Sequence, residues 1–163
     1  MTSEDNFLVR PIGIIHTPFQ EKEGMPIQPG SAQGQKGKIA LDREYVPGLQ
    51  DLEGFSHLIL VYYFHRAKSP QLLVKPFLDD DKHGLFATRA PSRPNPIGIS
   101  IVKLLSIQDN ILEVENLDIL DGTPLLDIKP YVPDFDQPGK VRIGWLNKVR
   151  EEIPGKLSDD SFS

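Results

Sequence analysis

The most unusual chemistry in this chain sits on one short stretch, Arg89-Ala90-Pro91-Ser92-Arg93-Pro94-Asn95-Pro96, where three prolines hold two arginines and an asparagine. Each proline fixes its own φ and restricts the residue before it, so the side chains stand on a rigid mount. Rigid guanidinium groups suit carboxylates, phosphates or the face of a flat base, and prepositioning lowers the entropy lost on binding. The competing reading is a stiff turn whose arginines are merely solvated. The four histidines, His16, His57, His65 and His83, show no metal-ligand spacing. His57 and His65 lie eight residues apart on one expected strand, more than about 25 Å at 3.3 Å per residue, so they cannot share a metal. His57 lies inside an apolar run and reads as a core histidine. His65 ends that run beside Arg66, where polar side chains leave the core and can meet a ligand. Asp121-Gly122-Thr123-Pro124 reads as a tight turn with the aspartate bonding its own backbone. The Asp127, Lys129, Asp134 and Asp136 that follow read as a solvated acidic face.

Several chemistries are excluded at once. With no cysteine among 163 residues there is no disulfide, no thiolate metal site and no thiol nucleophile. Gly37-Lys38 lacks the first glycine and the hydroxyl residue of a P-loop, and no G-x-G-x-x-G follows a strand, so a doubly wound nucleotide fold is not supported. No stretch approaches the roughly 18 apolar residues of a membrane span, and the acidic amino terminus does not resemble a signal peptide. The expectation is a soluble, cytoplasmic protein that uses no metal. The net charge of −5 is unevenly spread, with residues 56–103 at +4 and both flanks acidic. A polyanionic partner is therefore possible at the centre of the chain.

The elements that must position these residues are mostly strands. Prolines and glycines make up 28 of 163 residues, leaving few windows long enough for helix. Leu8 to His16 reads as a strand, and Pro11 within it suggests an edge or a bulge. Gln20 to Lys38 is an aperiodic loop of the length usually reserved for function or disorder. Lys38 to Leu41 is a short strand, and Arg43 to Leu52 offers one or two helical turns broken at Pro47-Gly48. Phe55 to His65, rich in branched and aromatic residues, is the strongest strand and should run through the core. Leu72 to Phe77 is a short strand. Ile97 to Ile107 and Ile111 to Glu115 form a hairpin about Asp109-Asn110. Leu117 to Leu120 and Leu125 to Tyr131 add two strands, and Ile143 to Ile153 alone has helical spacing. The whole reads as mainly β, a single antiparallel or mixed β-barrel with short helical decorations and a carboxy-terminal helix. The barrel domain is expected over residues 1–137, with the helix and a frayed tail over 138–163.

Three segments taken together, Gly54-Phe55-Ser56-His57-Leu58, Phe86 to Gly98, and Leu120 to Pro124 with Asp127 to Tyr131, closely resemble the TsaA-like/TrmO family. The resemblance covers roughly residues 7–137 and implies a β-barrel methyltransferase that uses S-adenosylmethionine. The family includes the methyltransferase acting on N6 of threonylcarbamoyladenosine at position 37 of tRNA, and the resemblance implies that reaction here. It further implies a homodimer with the cofactor near the subunit interface. By motif it implies cofactor contacts from Pro26, Ile27, Gln28, His65, Arg66, Arg89, Ile99, Asp121, Gly122, Thr123 and Pro124. Longer members continue into an additional carboxy-terminal domain, which this chain is expected to lack.

An in-line methyl transfer from a sulfonium rests largely on alignment. The acceptor N6 is amide-like, so loss of its proton matters, and His65 or Asp121 is the candidate acceptor. The threonylcarbamoyl carboxylate suits Arg93 or Arg66. Asn95 joins Arg93 as a substrate contact. An unstacked anticodon-loop base could lie on Tyr62, Tyr63 or Tyr131. The alternative from another class is a barrel that binds S-adenosylmethionine or RNA without chemistry.

Overall fold

The structure, a computed structural model, describes residues 5–20, 33–76 and 78–152. Six strands close into a barrel in the order β1 (Gly13–His16), β2 (Lys36–Leu41), β7 (Ile111–Glu115), β6 (Ile97–Gln108), β3 (His57–Tyr63) and β8 (Thr123–Pro130). Every pairing is antiparallel. Alternation builds the inside: Leu58, Leu60 and Tyr62 of β3 point inward, where Val102 of β6 faces Leu58. Ile15, Ile39, Leu112, Val114, Leu117 and Leu125 complete a fully buried core. Closure leaves no barrel edge to protect from a second chain.

β4 (Leu73–Val74) and β5 (His83–Gly84) form a separate two-stranded hairpin. Short 3-10 turns lie at Arg43–Leu49, Leu52–Gly54 and Leu85–Ala87. The helices are α1 (Pro133–Asp136), a single turn, and α2 (Leu146–Glu152). α2 packs its Val149 into a buried position.

Four expectations need correction. β1 is not an edge strand, because it pairs with both β2 and β8; Pro11 lies ahead of the ladder, where its missing N–H costs nothing. Leu117–Leu120 is not a strand: Asn116 takes φ 71° and turns the chain across the barrel end, although Leu117 and Ile119 stay buried. β8 begins at Thr123, not at Leu125. His57 is half-buried on the outer face of β3, where its ring meets Ser56 and Tyr131 instead of the core. Its register decides this, since Leu58 takes the inward position.

Candidate functional site

Antiparallel closure brings the ends of β1 and β3 and the beginnings of β6 and β8 to one end of the barrel. His65 and Arg66 follow β3 there, the proline-bracketed loop enters β6 there, and residues 117–122 cross it on the way to β8. That end gathers His65, Arg66, Arg89, Arg93, Asn95 and Asp121 to Pro124. Tyr131 follows β8 at the opposite end, where its N–H bonds the His57 carbonyl at 3.0 Å. Six residues of β3 separate the two ends, roughly 20 Å. Pro26, Ile27 and Gln28 lie outside the described residues.

The turn at residues 121–124 is laced to the end of β1. Asp121 Oδ1 accepts the Thr17 N–H at 3.0 Å and lies 3.5 Å from His16 Nδ1. The Asp121 and Gly122 N–H groups donate to the Phe19 and Ile15 carbonyls at 2.7 and 2.9 Å. Thr123 is buried and donates its hydroxyl to the Leu120 carbonyl at 2.7 Å. Gly122 sits at φ 79°, a left-handed conformation that favours glycine.

The proline-bracketed loop carries an internal strut. One nitrogen of Arg93, Nη1, donates to the Thr88 and Ala90 carbonyls at 2.9 and 3.1 Å and reaches the Leu85 carbonyl at 3.4 Å. The Arg93 guanidinium also lies over the Phe86 ring, 5.8 Å from its centroid. Arg89 and Asn95 are exposed on the same loop. Arg66 Nη1 donates to the Gln20 carbonyl at 3.0 Å, at the threshold of the segment holding Pro26 to Gln28. His65 is exposed, yet partial burial and the neighbouring charge of Arg66 hold its imidazole below the ordinary range.

Sequence reasoning missed a polar chain beneath these residues. Tyr62 Oη lies 2.9 Å from Ser100 Oγ, and Ser100 donates to Asp118 Oδ1 at 3.0 Å. Because Ser100 has a single proton and gives it to the carboxylate, Tyr62 must donate to Ser100. Burial pushes the Tyr62 phenol up to about 12 and raises Asp118, while the charge of Arg89 pulls both back. The available signals were an aspartate inside the apolar run Leu117-Asp118-Ile119-Leu120 and a serine at an inward position of β6.

Ile99 points outward opposite Val61. With Ile97, Ile101 and Tyr63 it forms an exposed apolar stripe, Ile99 being 54% exposed. Among the described residues no group of His, Asp and Glu could hold a metal ion, and no helix is long and apolar enough to cross a membrane.

Comparison with known proteins decides what this geometry belongs to. The tRNA-methyltransferase O N-terminal domain family matches residues 14–137. The chain belongs to this methyltransferase family. A probable S-adenosyl-L-methionine-binding protein of Pyrococcus abyssi is 55% identical, over 94% of this chain and 83% of that protein. The tRNA (adenine(37)-N6)-methyltransferase of Escherichia coli is 38% identical, over 78% of this chain and 59% of that protein. A crystal structure of TrmO superposes with a TM-score of 0.73 at 42% identity, covering 85% of this chain and 64% of that one. The family's cofactor is S-adenosylmethionine, and the chain is mainly β, as the resemblance implied. The chain spans less than two thirds of the E. coli enzyme and of the TrmO chain it matches.

Proposed function

We propose that this chain transfers the methyl group of S-adenosylmethionine to N6 of adenosine 37 in tRNA, in its threonylcarbamoyl form. The observation that carries the reading is the convergence of His65, Arg66, Arg89 and the 121–124 turn on one barrel end, in a chain of the methyltransferase O family. These residues fit the cofactor's chemistry. Arg66 and Arg89 offer forked N–H donors to its carboxylate, the half-buried Asp121 suits its ammonium group, and Gly122 lets the turn approach closely without a Cβ. Pro26, Ile27 and Gln28 belong to the same proposal by motif. When bound, the cofactor supplies a methyl group on a sulfonium that needs little acid–base help to leave.

The chain's own residues align the acceptor and take its proton. Asp121 is assigned to the cofactor's ammonium group, with Oδ1 accepting the Thr17 N–H, which leaves His65 as the favoured acceptor in this reading. It is neutral at pH 7 because partial burial and Arg66 disfavour its charged form. His65 receives the N6 proton on a ring nitrogen, and the adjacent Arg66 favours its release to solvent. Arg93, with Nη1 bound to the loop's carbonyls, is a positioning residue that holds Arg89 and Asn95 toward the substrate. Tyr131 lies too far from this end to stack a base within its own barrel, so any such role comes from a second copy. A homodimer through the Ile97, Ile99, Ile101 and Tyr63 stripe would cover the outward-facing Ile99. A tRNA substrate also agrees with a cytoplasmic location.

Single-turnover transfer from labelled cofactor to bulk tRNA, followed by nucleoside analysis, tests the reading. Label is expected in N6-methylated threonylcarbamoyladenosine. Calorimetry should show cofactor affinity falling in both Arg89→Ala and Asp121→Ala. A tRNA pool without label, or two variants that bind cofactor like the parent, would overturn it.

A further inference from the structure

Arg89 also lines a groove of about 710 Å³ whose other residues the proposed methyl transfer does not use. Its size lies within the roughly 300–1,000 Å³ typical of small-ligand sites. Its walls come from three places: the β4–β5 hairpin, the 85–91 segment and the approach to α2. Phe86, Pro91, Ile143 and Trp145 line it together with Lys75 and Arg89.

The groove is braced. Trp145 Nε1 donates to the Ala87 carbonyl at 2.8 Å, and its indole stacks on His83 with ring centroids 4.3 Å apart and planes 15° apart. His83 is fixed in turn by Asp79 at 2.8 Å. Phe86 is 75% exposed although the Arg93 guanidinium covers it from one side. A large exposed aromatic ring backed by a cation, on the margin of an apolar groove, has the chemistry of a stacking platform for a flat ligand.

Charge narrows the ligand's class. The lining carries Lys75 and Arg89 and, among the described residues, no acidic side chain. The longer stretches that flank it in sequence, residues 66–96 and 138–152, carry ten basic side chains against five acidic ones, a net of +5 within a chain of net −5. The acids nearest the groove are Asp79, Asp80 and Asp81. Asp79 is paired with His83, and Asp80 lies 3.5 Å from Lys75. An apolar slot with aromatic walls inside a cationic surface suits unstacked bases joined by phosphates.

We infer that this groove binds an unstacked nucleobase of single-stranded RNA neighbouring the methyl acceptor, with Phe86 and Trp145 as its aromatic walls. The inference rests on the tRNA reading for the identity of the RNA. Arg89 lines the groove and belongs to the proposed cofactor end, so a base held here lies next to the methyl-transfer site. Recognition of this kind is tolerant of base identity, because every base has a π-face.

Trp145 is the only tryptophan in the chain, so its emission reports directly on the groove. The full chain is titrated with a short single-stranded adenosine-rich RNA oligonucleotide while Trp145 emission and the anisotropy of a dye on the RNA are followed together. Saturable quenching in step with the anisotropy is expected, roughly ten- to a hundredfold weaker binding in Phe86→Ala, and recovery in Phe86→Tyr. Cofactor affinity should change far less than RNA affinity in Phe86→Ala, because Arg93 keeps its bonds to the Thr88 and Ala90 carbonyls, and should stay at the parent's value in Phe86→Tyr. Because Phe86 is exposed, its truncation leaves the fold intact. RNA that binds by anisotropy without changing Trp145 emission, or with equal affinity to Phe86→Ala, overturns the inference. So does an emission that changes on dilution of the RNA-free protein, which would assign the groove to a second copy. Quenching that persists in a protein unable to methylate tRNA keeps the groove and removes the tRNA reading. Methylation with no quenching does the opposite.

Discussion

Ser100 has one hydroxyl proton, and it goes to Asp118. That fixes the direction of the whole Tyr62, Ser100, Asp118 chain and makes Asp118 the acceptor at its end. Burial raises the Asp118 pKa more than Ser100 and Arg89 lower it. A folded-state pKa above the unfolded value means that the native protein binds the proton more tightly, so ionised Asp118 costs stability once the pH passes about 3.9. Asp118→Asn keeps an oxygen for Ser100 and removes the charge. It should therefore melt higher than the parent at pH 7, with the gain shrinking as the pH falls toward 4. Calorimetric melts across that range check it; a lower melting temperature at pH 7 would mean that Arg89 outweighs burial. His65 gives the opposite sign. Its pKa is depressed, so its basic form fills before the pH reaches the ordinary histidine value of about 6.5. The acid limb of the single-turnover rate should have its midpoint below that value. His65→Ala should abolish the limb and slow transfer by roughly 10²- to 10⁴-fold.

Within β6, Gly98 decides how the barrel end is packed. A Cβ built there would lie 2.6 Å from both the Tyr62 and Phe64 rings. Those rings meet edge to face, with centroids 5.5 Å apart, so neither can withdraw without losing the other's support. Gly98→Ala should cost about 1–3 kcal/mol from overpacking. It should also shift Tyr62 away from Ser100. Thermal melts give the first number, and loss of the high-pH tyrosine titration near 12 gives the second. An alanine variant with the parent's stability would show that the strand end yields freely. The proline-bracketed loop makes a different element-level point. Its stiffness was readable from three prolines, but the use of Arg93 as its internal strut was not, because the Thr88 and Ala90 carbonyls reach Arg93 only once the loop has folded back.

The molecule as a whole has two surfaces of opposite character. The outer faces of β3 and β6 expose Ile97, Ile99, Ile101 and Tyr63 in one stripe, and contiguous apolar surface of this kind marks an interaction site. Ile99→Lys should convert the proposed dimer to monomer in light scattering and weaken cofactor binding with it. A variant that remains dimeric would move the interface elsewhere. The second surface is the basic one around the hairpin. Neutralising phosphates releases counterions, so log affinity for single-stranded RNA should fall with log salt at about −0.7 per contact. Replacing Lys68, Lys75 and Lys82 by alanine should flatten that slope by up to about 2 while leaving cofactor affinity alone. An unchanged slope in a filter-binding titration would shift the RNA surface to Lys140, Arg142 and α2.

What the sequence determined by itself is local or motif-based. Alternation with branched and aromatic residues specified β3, β6 and β7 and their hairpin, since side-chain direction in a strand follows from period two. The spacing of prolines and arginines marked the loop, and the family resemblance supplied the cofactor. Tertiary structure decided three other things. Closure of the barrel removed the edge that Pro11 suggested, because pairing partners for β1 come from residues 38–41 and 123–125. Register placed His57 outside the core and Ser100 inside it. Antiparallel closure set Tyr131 at the far end from Asp121 although only ten residues separate them, because β8 crosses the barrel between the two. Asp118, Ser100 and Tyr62 are distant in sequence and meet only across that end. A hydrogen-bonded chain of this sort has no linear signature, since its members are chosen by which strands become neighbours and not by how far apart they stand in the chain.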